Sequence, residues 1–365
     1  MEKTKIQEDL DLIEINPNFY ETPGPIHAFR VNISNSNSFG GALVYQAIYA
    51  AYKTVPATFN LSTTHLYFLN GVKSKEKAEY RVTRLRDGKA TIHREVKIIQ
   101  GPKVAMVLLA MFTLKAQKNR FGRQPLVNAS ITANSQNKTR LKQAIKNIVN
   151  EAPITKKEGF PPSSPLSVPQ HFPRMIHGLG YKLDQLYLNT LEDPNGLKIL
   201  EVYFPKAIVK GDRVVFRNET VKEFDADVVL ERELFSIVRG CPGGSGTVDT
   251  PENSSIGYRC FLGYISDYTT LSCCGPLLGW AYADERFVVS LDHALYYQEP
   301  QNPTGILDWH IVRHNILKGK DGQYTVKLTI YNSFGESVAI AIQEGISVLD
   351  NRKGQLSAKK LGSKL

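Results

Sequence analysis

The fold is decided by the stretch FGGALVYQAIYAAYK, which occupies residues 39–53. The pair Gly40-Gly41 marks the start of a new element, and the alanine-rich residues 42–53 predict a helix. Small side chains lie on almost every side of that helix, which is typical of a helix packed closely all round. We therefore expect the segments that follow it to enclose it.

An antiparallel meander follows the helix. A hairpin turn is predicted at residues 86–89, where Asp87-Gly88 separates two runs of strand-forming residues. The last run, residues 104–114, is nearly continuous in apolar residues, which indicates a central strand. The four predicted strands occupy residues 62–70, 79–85, 91–99 and 104–114.

The same order of elements occurs again toward the C-terminus. A helix is predicted at residues 261–271, and four strands separated by turns follow it. These strands are expected at residues 287–298, 308–317, 323–332 and 337–349. One helix against an antiparallel meander is an α+β architecture. A sheet that curls around one buried helix is a hot-dog fold, so two copies predict a double hot dog.

The two copies divide the chain into domains. We expect an N-terminal hot-dog domain at residues 1–118 and a C-terminal one at 197–350, with an inserted loop at 217–256. The linker between them, residues 119–196, contains a Pro- and Ser-rich section that favours extended chain. A basic, polar tail occupies residues 351–365.

The composition is that of a folded globular protein without a membrane span. Of the 365 residues, 42% are hydrophobic and 22% are charged. The strongest apolar run, residues 104–114, has about half the length that a membrane helix needs. The N-terminus lacks the apolar region of a secretory signal. The four cysteines have no metal-binding or redox spacing, so we expect reduced thiols and no metal.

The net charge of +10 predicts an anionic partner. The lysines and arginines are spread diffusely and lack the aromatic residues that accompany nucleic-acid binding, so nucleic acid is not expected. A phosphate-bearing metabolite such as CoA fits the charge better. The glycine-rich segment 240–246 lacks the Gly-Lys-Ser/Thr ending of a phosphate-binding loop, and we interpret it as a flexible loop.

Six short motifs resemble the acyl-CoA thioesterase II family, and they occur in the family's order. They fall in both copies, whereas the linker and residues 217–256 match poorly. The motifs are Phe39-Gly40-Gly41, His65 to Leu69, Leu85 to Gly88, Leu262 to Asp267, Ser290 to His293 and Gln343-Glu344-Gly345. The resemblance implies a double hot dog that hydrolyses medium- to long-chain fatty acyl-CoA to free fatty acid and CoA.

The resemblance also implies a catalytic set. The family's aspartate corresponds to Asp267, its hydroxyl residue to Ser290 and its glutamine to Gln343. Bacterial members often carry threonine where this chain has Ser290, which keeps the hydroxyl but loses the methyl group that stiffens the side chain. A carboxylate enclosed by a sheet has a raised proton affinity, which suits Asp267 to act as a base toward water. The neutral Ser290 and Gln343 can hold that water in place.

Each of these residues also has an ordinary structural explanation. Asp267 fits a helix N-cap, a place that Ser and Asp favour, and Ser290 fits a plain strand position. Gln343 lies in an apolar strand, where a polar side chain needs a partner. His293 invites a general-base role as well, but its counterpart His65 in the first copy suggests a structural one.

Two other functions stay open. A hot-dog enoyl-CoA hydratase resembles this chain in fold, but it carries Asp and His together on the central helix, and no His follows Asp267 in the predicted helix. A non-catalytic acyl-CoA-binding or assembly protein keeps the fold with a degraded site. The chain has no Gly-x-Ser-x-Gly elbow, no Cys/His metal motif and no dinucleotide fingerprint, so no cofactor is expected.

The chain ends in Ser363-Lys364-Leu365, a tripeptide that the peroxisomal import receptor recognises at an extreme C-terminus. The basic, polar tail before it should be exposed. The sequence therefore predicts a protein of the peroxisome matrix that has the import receptor as a partner. Because hot-dog units need partners at their sheet edges, a homo-oligomer is a further expectation.

Overall fold

The computed structural model describes residues 3–26, 37–74, 76–115, 186–192, 198–205, 208–210, 213–216, 219–220, 233–243, 251–278, 285–320 and 322–349. These ranges hold three helices: α1 (Lys5–Asp9), α2 (Gly40–Tyr52) and α3 (Pro251–Leu278). None of the three combines the length and the apolar character that a helix needs to cross a membrane.

The strands form one large antiparallel sheet and one small sheet. In chain order they are β1 (Ile13–Asn16), β2 (Phe19–Glu21), β3 (Phe59–Phe68), β4 (Glu79–Asp87), β5 (Thr91–Gln100), β6 (Lys103–Leu114), β7 (Leu186–Glu192), β8 (Lys198–Pro205), β9 (Ile208–Lys210), β10 (Arg213–Phe216), β11 (Glu219–Thr220), β12 (Glu233–Gly240), β13 (Glu285–Tyr297), β14 (His310–Lys320), β15 (Gln323–Tyr331) and β16 (Ser337–Leu349). The large sheet has 13 strands in the order β1-β2-β4-β5-β6-β3-β13-β16-β15-β14-β12-β8-β7. Strands β9 to β11 form the small sheet.

The first copy consists of α2 and the strands that surround it. Helix α2 is buried along its whole length except at Gly40 and Tyr49, as its small side chains predicted. Strands β4 to β6 form a meander, but β3 pairs with β6 rather than with β4, so the expected order holds for three of the four strands. Strand β5 shows the alternation of buried and half-buried residues that marks a strand with one face toward the core.

The second copy repeats this arrangement with α3 and strands β13 to β16. The two copies join where β3 pairs antiparallel with β13, with Tyr67 opposite Asp292 and Thr63 opposite Tyr296. One continuous sheet therefore covers both helices. This α+β architecture confirms the predicted double hot dog.

Helices α2 and α3 pack against each other inside the sheet, and Gly263 allows their close approach. A Cβ atom at Gly263 would lie 2.8 Å from Cδ1 of Ile48 and 3.0 Å from Cγ1 of Val44. A larger residue at this position would push the helices apart, so Gly263 fixes the distance at which residues of one copy face those of the other.

Two segments that were predicted as an inserted loop and a linker contain strands of the large sheet. Strand β12 lies within the expected loop 217–256 and pairs with both β14 and β8. Strand β7 lies within the expected linker 119–196 and forms the edge of the sheet. The loop prediction was wrong for β12 because its residues are buried on both faces. They are Leu234, Phe235, Ser236, Ile237 and Val238, and a run of this kind lacks the alternation that identifies a half-exposed strand.

The second helix is also longer than the sequence predicted. It was expected at residues 261–271, whereas α3 begins at Pro251, inside the expected loop. The Pro- and Ser-rich section and the tail with its targeting tripeptide lie outside the described residues.

Candidate active site

Helix α3 places Asp267 inside the protein. The residue lies in the interior of the helix and is 1% exposed, which rules out the N-cap explanation. Nearby polar side chains of the helix bond its own carbonyls: Thr269 Oγ1 donates to Ile265 O at 2.8 Å, and Thr270 Oγ1 donates to Ser266 O at 2.6 Å. These hydroxyls are thereby satisfied, and the Asp267 carboxylate remains directed toward the sheet.

Ser290 and Gln343 reach Asp267 from the neighbouring strands β13 and β16. The Gln343 amide Nε2 donates to Asp267 Oδ1 at 2.6 Å and to Ser290 Oγ at 2.6 Å. The Ser290 hydroxyl donates to Asp267 Oδ1 at 2.9 Å. The structure thus brings the three predicted residues into one closed hydrogen-bonded triangle, while their catalytic role stays a prediction.

A β-bulge directs Ser290 to the helix. The pairing of β13 with β16 shifts register between Ser290 and Asp292, and the extra residue lets Ser290 and His293 both face α3 although they are an odd number of positions apart. The Asp292 side chain supports this bulge, because its Oδ1 accepts the Glu344 amide at 3.0 Å. The bulge therefore fixes the position of Ser290 on β13, next to Gln343 of β16.

The first copy completes the site with the start of α2. An ideal Cβ atom at Gly40 would lie 2.8 Å from Asp267 Oδ2 and 3.1 Å from the Phe68 ring, so only glycine fits there. The Ala42 and Leu43 amides donate to the Phe39 carbonyl, whereas the Gly41 amide lies close to the Asp267 carboxylate. The positive end of the helix therefore faces the carboxylate.

The pKa of Asp267 is raised above its ordinary value. Burial is the largest cause, because it disfavours the charged carboxylate. The hydrogen bonds from Gln343 and Ser290 and the Gly41 amide oppose this effect. The site thus combines a desolvated carboxylate, which holds a proton more readily, with donors that keep the ionised form accessible.

Two buried acceptor atoms of the triangle remain available. Asp267 Oδ2 and Gln343 Oε1 make no hydrogen bond of normal geometry with the described residues, although the Gly41 amide approaches the carboxylate closely enough to lower its pKa. A water molecule has two protons to donate. The arrangement can therefore orient a water with one proton directed at the carboxylate.

Aromatic side chains cluster between the start of α2 and the segment of α3 that carries Asp267. The ring of Phe39 meets the edges of Tyr264 and Tyr268, with centroids 5.0 Å and 5.7 Å apart. Tyr264 and Tyr268 lie on the same helix as Asp267 and are buried. These buried rings and Asp267 thus lie in the same region of the interior, where Asp267 is 1% exposed.

Sequence reasoning did not find the contributions of Gly40, Gly41 and Asp292. The glycine pair was noted as a helix start and as part of a motif, without a role at the site, and the Asp292 side chain was not considered. His65 and His293 are not equivalent: His65 is exposed on the outer face of β3, whereas His293 is 1% exposed and faces α3. The structural role inferred for His293 from that comparison therefore needs another basis.

No metal centre is found in the part of the chain that the structure describes. It holds no group of three or more His, Cys, Asp or Glu side chains that could bind an ion. Cys241, Cys260 and Cys273 are buried free thiols, and burial raises the pKa of Cys241 to about 12.

Comparison with known proteins adds independent information. Residues 32–113 match the family model of the acyl-CoA thioesterase N-terminal domain. Over 118 residues, the chain is 28% identical to peroxisomal acyl-coenzyme A thioester hydrolase 1 of Saccharomyces cerevisiae. That match covers 32% of this chain and 33% of the yeast protein, so the chain spans about a third of the curated relative's length.

Solved structures resemble the chain over most of its length. Acyl-CoA thioesterase II TesB2 from Mycobacterium marinum has a TM-score of 0.55 and 19% identity, and the match covers 94% of this chain and 97% of that one. A hot-dog protein of unknown function from Alicyclobacillus acidocaldarius has a TM-score of 0.55 and 10% identity, with 94% and 98% covered. At these identities the likeness shows the fold alone.

Proposed function

We propose that this chain is a member of the acyl-CoA thioesterase II family and hydrolyses medium- to long-chain fatty acyl-CoA to free fatty acid and CoA. The observation that carries the proposal is the closed triangle on Asp267 Oδ1, which leaves Asp267 Oδ2 directed at the start of α2. The family model and the yeast relative's name agree with a thioester substrate.

In the proposed reaction, Asp267 acts as general base. Gln343 and Ser290 hold the carboxylate and the water, and Asp267 Oδ2 accepts a proton as the water oxygen attacks the thioester carbonyl. When the C–S bond breaks, the same proton passes to the departing CoA thiolate, which restores the carboxylate. A base placed in this way contributes on the order of 10²–10⁴-fold to the rate.

The developing oxyanion is best placed at the start of α2. The Ala42 and Leu43 amides are occupied by the Phe39 carbonyl, and the Gly41 amide lies close to the Asp267 carboxylate, so the Gly40 amide is the donor left in the first turn. Amides at a helix start stabilise negative charge. The reacting carbonyl would thus lie between this donor of the first copy and the base of the second.

The test is release of CoA thiol from a panel of fatty acyl-CoA esters by the wild type and by Asp267→Asn. We expect turnover by the wild type and a loss of about 100-fold or more in the variant. Asp308→Asn is the control, because it makes the same change at a half-buried aspartate of the second copy, which accepts the backbone amide of Gly305 at 2.7 Å. Its activity should stay at the wild-type level.

Two outcomes would contradict the proposal. If the wild type binds acyl-CoA without turnover, the chain is an acyl-CoA-binding or assembly protein. If Asp267→Asn keeps full activity, the base lies elsewhere. Hydration of an enoyl-CoA is disfavoured because His293, the buried histidine nearest in sequence to Ser290, bonds Ser266 rather than the Asp267 carboxylate.

The peroxisome matrix is the proposed location. The tripeptide Ser363-Lys364-Leu365 and the peroxisomal name of the yeast relative support it. The test is a fluorescent protein fused to the N-terminus, compared with the same fusion lacking the last three residues. Import that persists without the tripeptide would contradict a role for this signal.

A further inference from the structure

A buried histidine outside the proposed triangle connects the strand to the helix at the site. His293 is 1% exposed and lies on β13 directly opposite Gln343 of β16. Directly paired residues of an antiparallel ladder point to the same face, so His293 and Gln343 both face α3. The His293 Nε2 atom lies 3.0 Å from Oγ of Ser266, the residue before Asp267.

The direction of this hydrogen bond follows from the partners of Ser266. The Ser266 hydroxyl donates its only proton to the Gly263 carbonyl at 2.8 Å, so its oxygen must accept from His293. Nε2 of His293 therefore carries a proton. Burial lowers the pKa of His293 to about 4, which keeps the imidazole neutral, with Nδ1 unprotonated.

The neutral form has a consequence for the other ring nitrogen. Nδ1 of His293 is buried and has no hydrogen-bond partner among the described residues, an arrangement that costs stability. An apolar side chain of similar size would avoid that cost. The chain thus keeps a histidine where packing alone favours a hydrophobic residue, and what the histidine adds is the bond to Ser266.

We propose that His293 is a positioning residue that holds α3 on β13 at the place where Asp267 Oδ1 meets Ser290 and Gln343. The inference rests on the proposed function and extends it to a residue that does not touch the substrate. Ser266 adjoins Asp267, and His293 lies three residues after Ser290 on the same strand, so the bond between His293 and Ser266 joins helix to strand next to the triangle. A displacement of about 1 Å at a reacting group can reduce a rate about 100-fold.

The test compares His293→Leu, which removes the donor, with His293→Gln, which keeps an N–H donor on a side chain of similar reach. We expect His293→Leu to lower kcat about 10- to 100-fold with KM changed less than about threefold. His293→Gln should recover most of that loss. Ser266→Ala should reproduce the leucine phenotype, and the double variant should lose no more than either single one.

His314→Leu is the matched control, since His314 is equally buried on β14 and its Nδ1 bonds the Leu234 carbonyl, away from Asp267. The His314→Leu variant removes a hydrogen bond of a buried histidine but changes no residue of the triangle, so kcat per folded molecule should stay unchanged. An equal loss of kcat in His314→Leu and His293→Leu would mean that both act through general stability, which would overturn the proposal.

A crystal structure of His293→Leu decides the question independently of activity. We expect the distance from Asp267 Oδ1 to Ser290 Oγ, 2.9 Å in the native chain, to exceed hydrogen-bonding range. An unchanged distance would overturn the positioning role even if the enzyme were impaired. A wild type without turnover would instead count against the proposed function, and the crystal structure would still decide the role of His293.

Discussion

Gln343 is the residue whose role depends most on being an amide. Its Nε2 group supplies two hydrogen bonds at once, one to Asp267 and one to Ser290. A carboxylate has no N–H to donate, and in this position it would be a second negative charge beside a buried one.

We expect Gln343→Glu to lower kcat about 100-fold or more and to raise the apparent pKa of the carboxylate pair, since like charges at this distance cannot both ionise readily. The remaining activity of Gln343→Glu should therefore increase with pH over a higher pH range than the activity of the wild type does. The measurement is kcat against pH for both proteins, with Gln298→Glu, on the half-buried residue after β13, as the control. If kcat decreased toward acid at the same pH in all three proteins, the two carboxylates would not influence each other and the prediction would be wrong.

The residues of the site differ in how visible they are in the sequence. Asp267, Ser290 and Gln343 were identified by their resemblance to family motifs, and Gln343 also by being polar in an apolar strand. Gly40 and Ser266 also lie within matching motifs, but nothing in the sequence assigned either of them a role at the site. Their importance comes from contacts between elements that are distant in sequence, such as Gly40 with Asp267, and local pattern does not encode those contacts.

Among the elements, α2 contributes through its first turn. The Gly40 position has no room for a side chain, since a Cβ atom there would meet both Asp267 Oδ2 and the Phe68 ring. An alanine at this position would therefore displace either the helix start or the carboxylate. This steric effect opposes the intrinsic preference of a helix interior for alanine over glycine, which is about 1 kcal/mol.

We expect Gly40→Ala to lower kcat at least about 10-fold, because the base and the helix start lose their mutual placement. Gly24→Ala is the control: nothing lies within 4 Å of a Cβ atom at that position. The measurement is kcat together with the thermal unfolding midpoint of both variants. Wild-type activity in Gly40→Ala would show that the start of α2 does not face the reacting atoms.

The differences between the predicted and the observed elements have identifiable physical reasons. Helix α3 starts ten residues earlier than predicted, and its first turns contain Ser254, Ser255 and Gly257, which have modest or poor helix propensity. These turns are stabilised by tertiary contact instead: a Cβ atom at Gly257 would lie 2.6 Å from the Gln7 side chain of α1. By contrast, α2 was predicted closely because its alanines carry the helical signal within the segment itself.

In the whole molecule, the site depends on both copies being present. The second copy supplies Asp267 and its partners, while Gly40 belongs to the first. Elsewhere in the molecule, Arg259 of α3 donates to the Leu61 carbonyl of β3 at 3.0 Å, and it forms an ion pair with Glu299. These contacts, with the β3–β13 pairing, keep the copies in fixed register, so the geometry of the site is a property of the joined fold.

Three buried histidines of the second copy, His293, His310 and His314, make the stability of the fold sensitive to acid. Burial lowers the pKa of each to about 4, whereas a histidine in the unfolded chain titrates near 6.5. Between these values the unfolded chain binds protons that the folded chain does not. Their stabilising contribution is therefore complete above about pH 6.5 and is lost progressively as the pH falls toward 4.

Each such histidine contributes a slope of about 1.4 kcal/mol per pH unit, so the three together give about 4 kcal/mol per unit. Because a domain is stable by only about 5–15 kcal/mol, we expect the chain to lose most of its stability as the pH falls toward 4. Burial raises the pKa of Asp267, so protonation of this carboxyl group favours the folded state as the pH falls. This is one group against three histidines. The measurement is the free energy of urea unfolding between about pH 7 and pH 5, where His314→Phe should flatten the slope by about a third. A constant free energy across that range would mean that these imidazoles become protonated within the folded state.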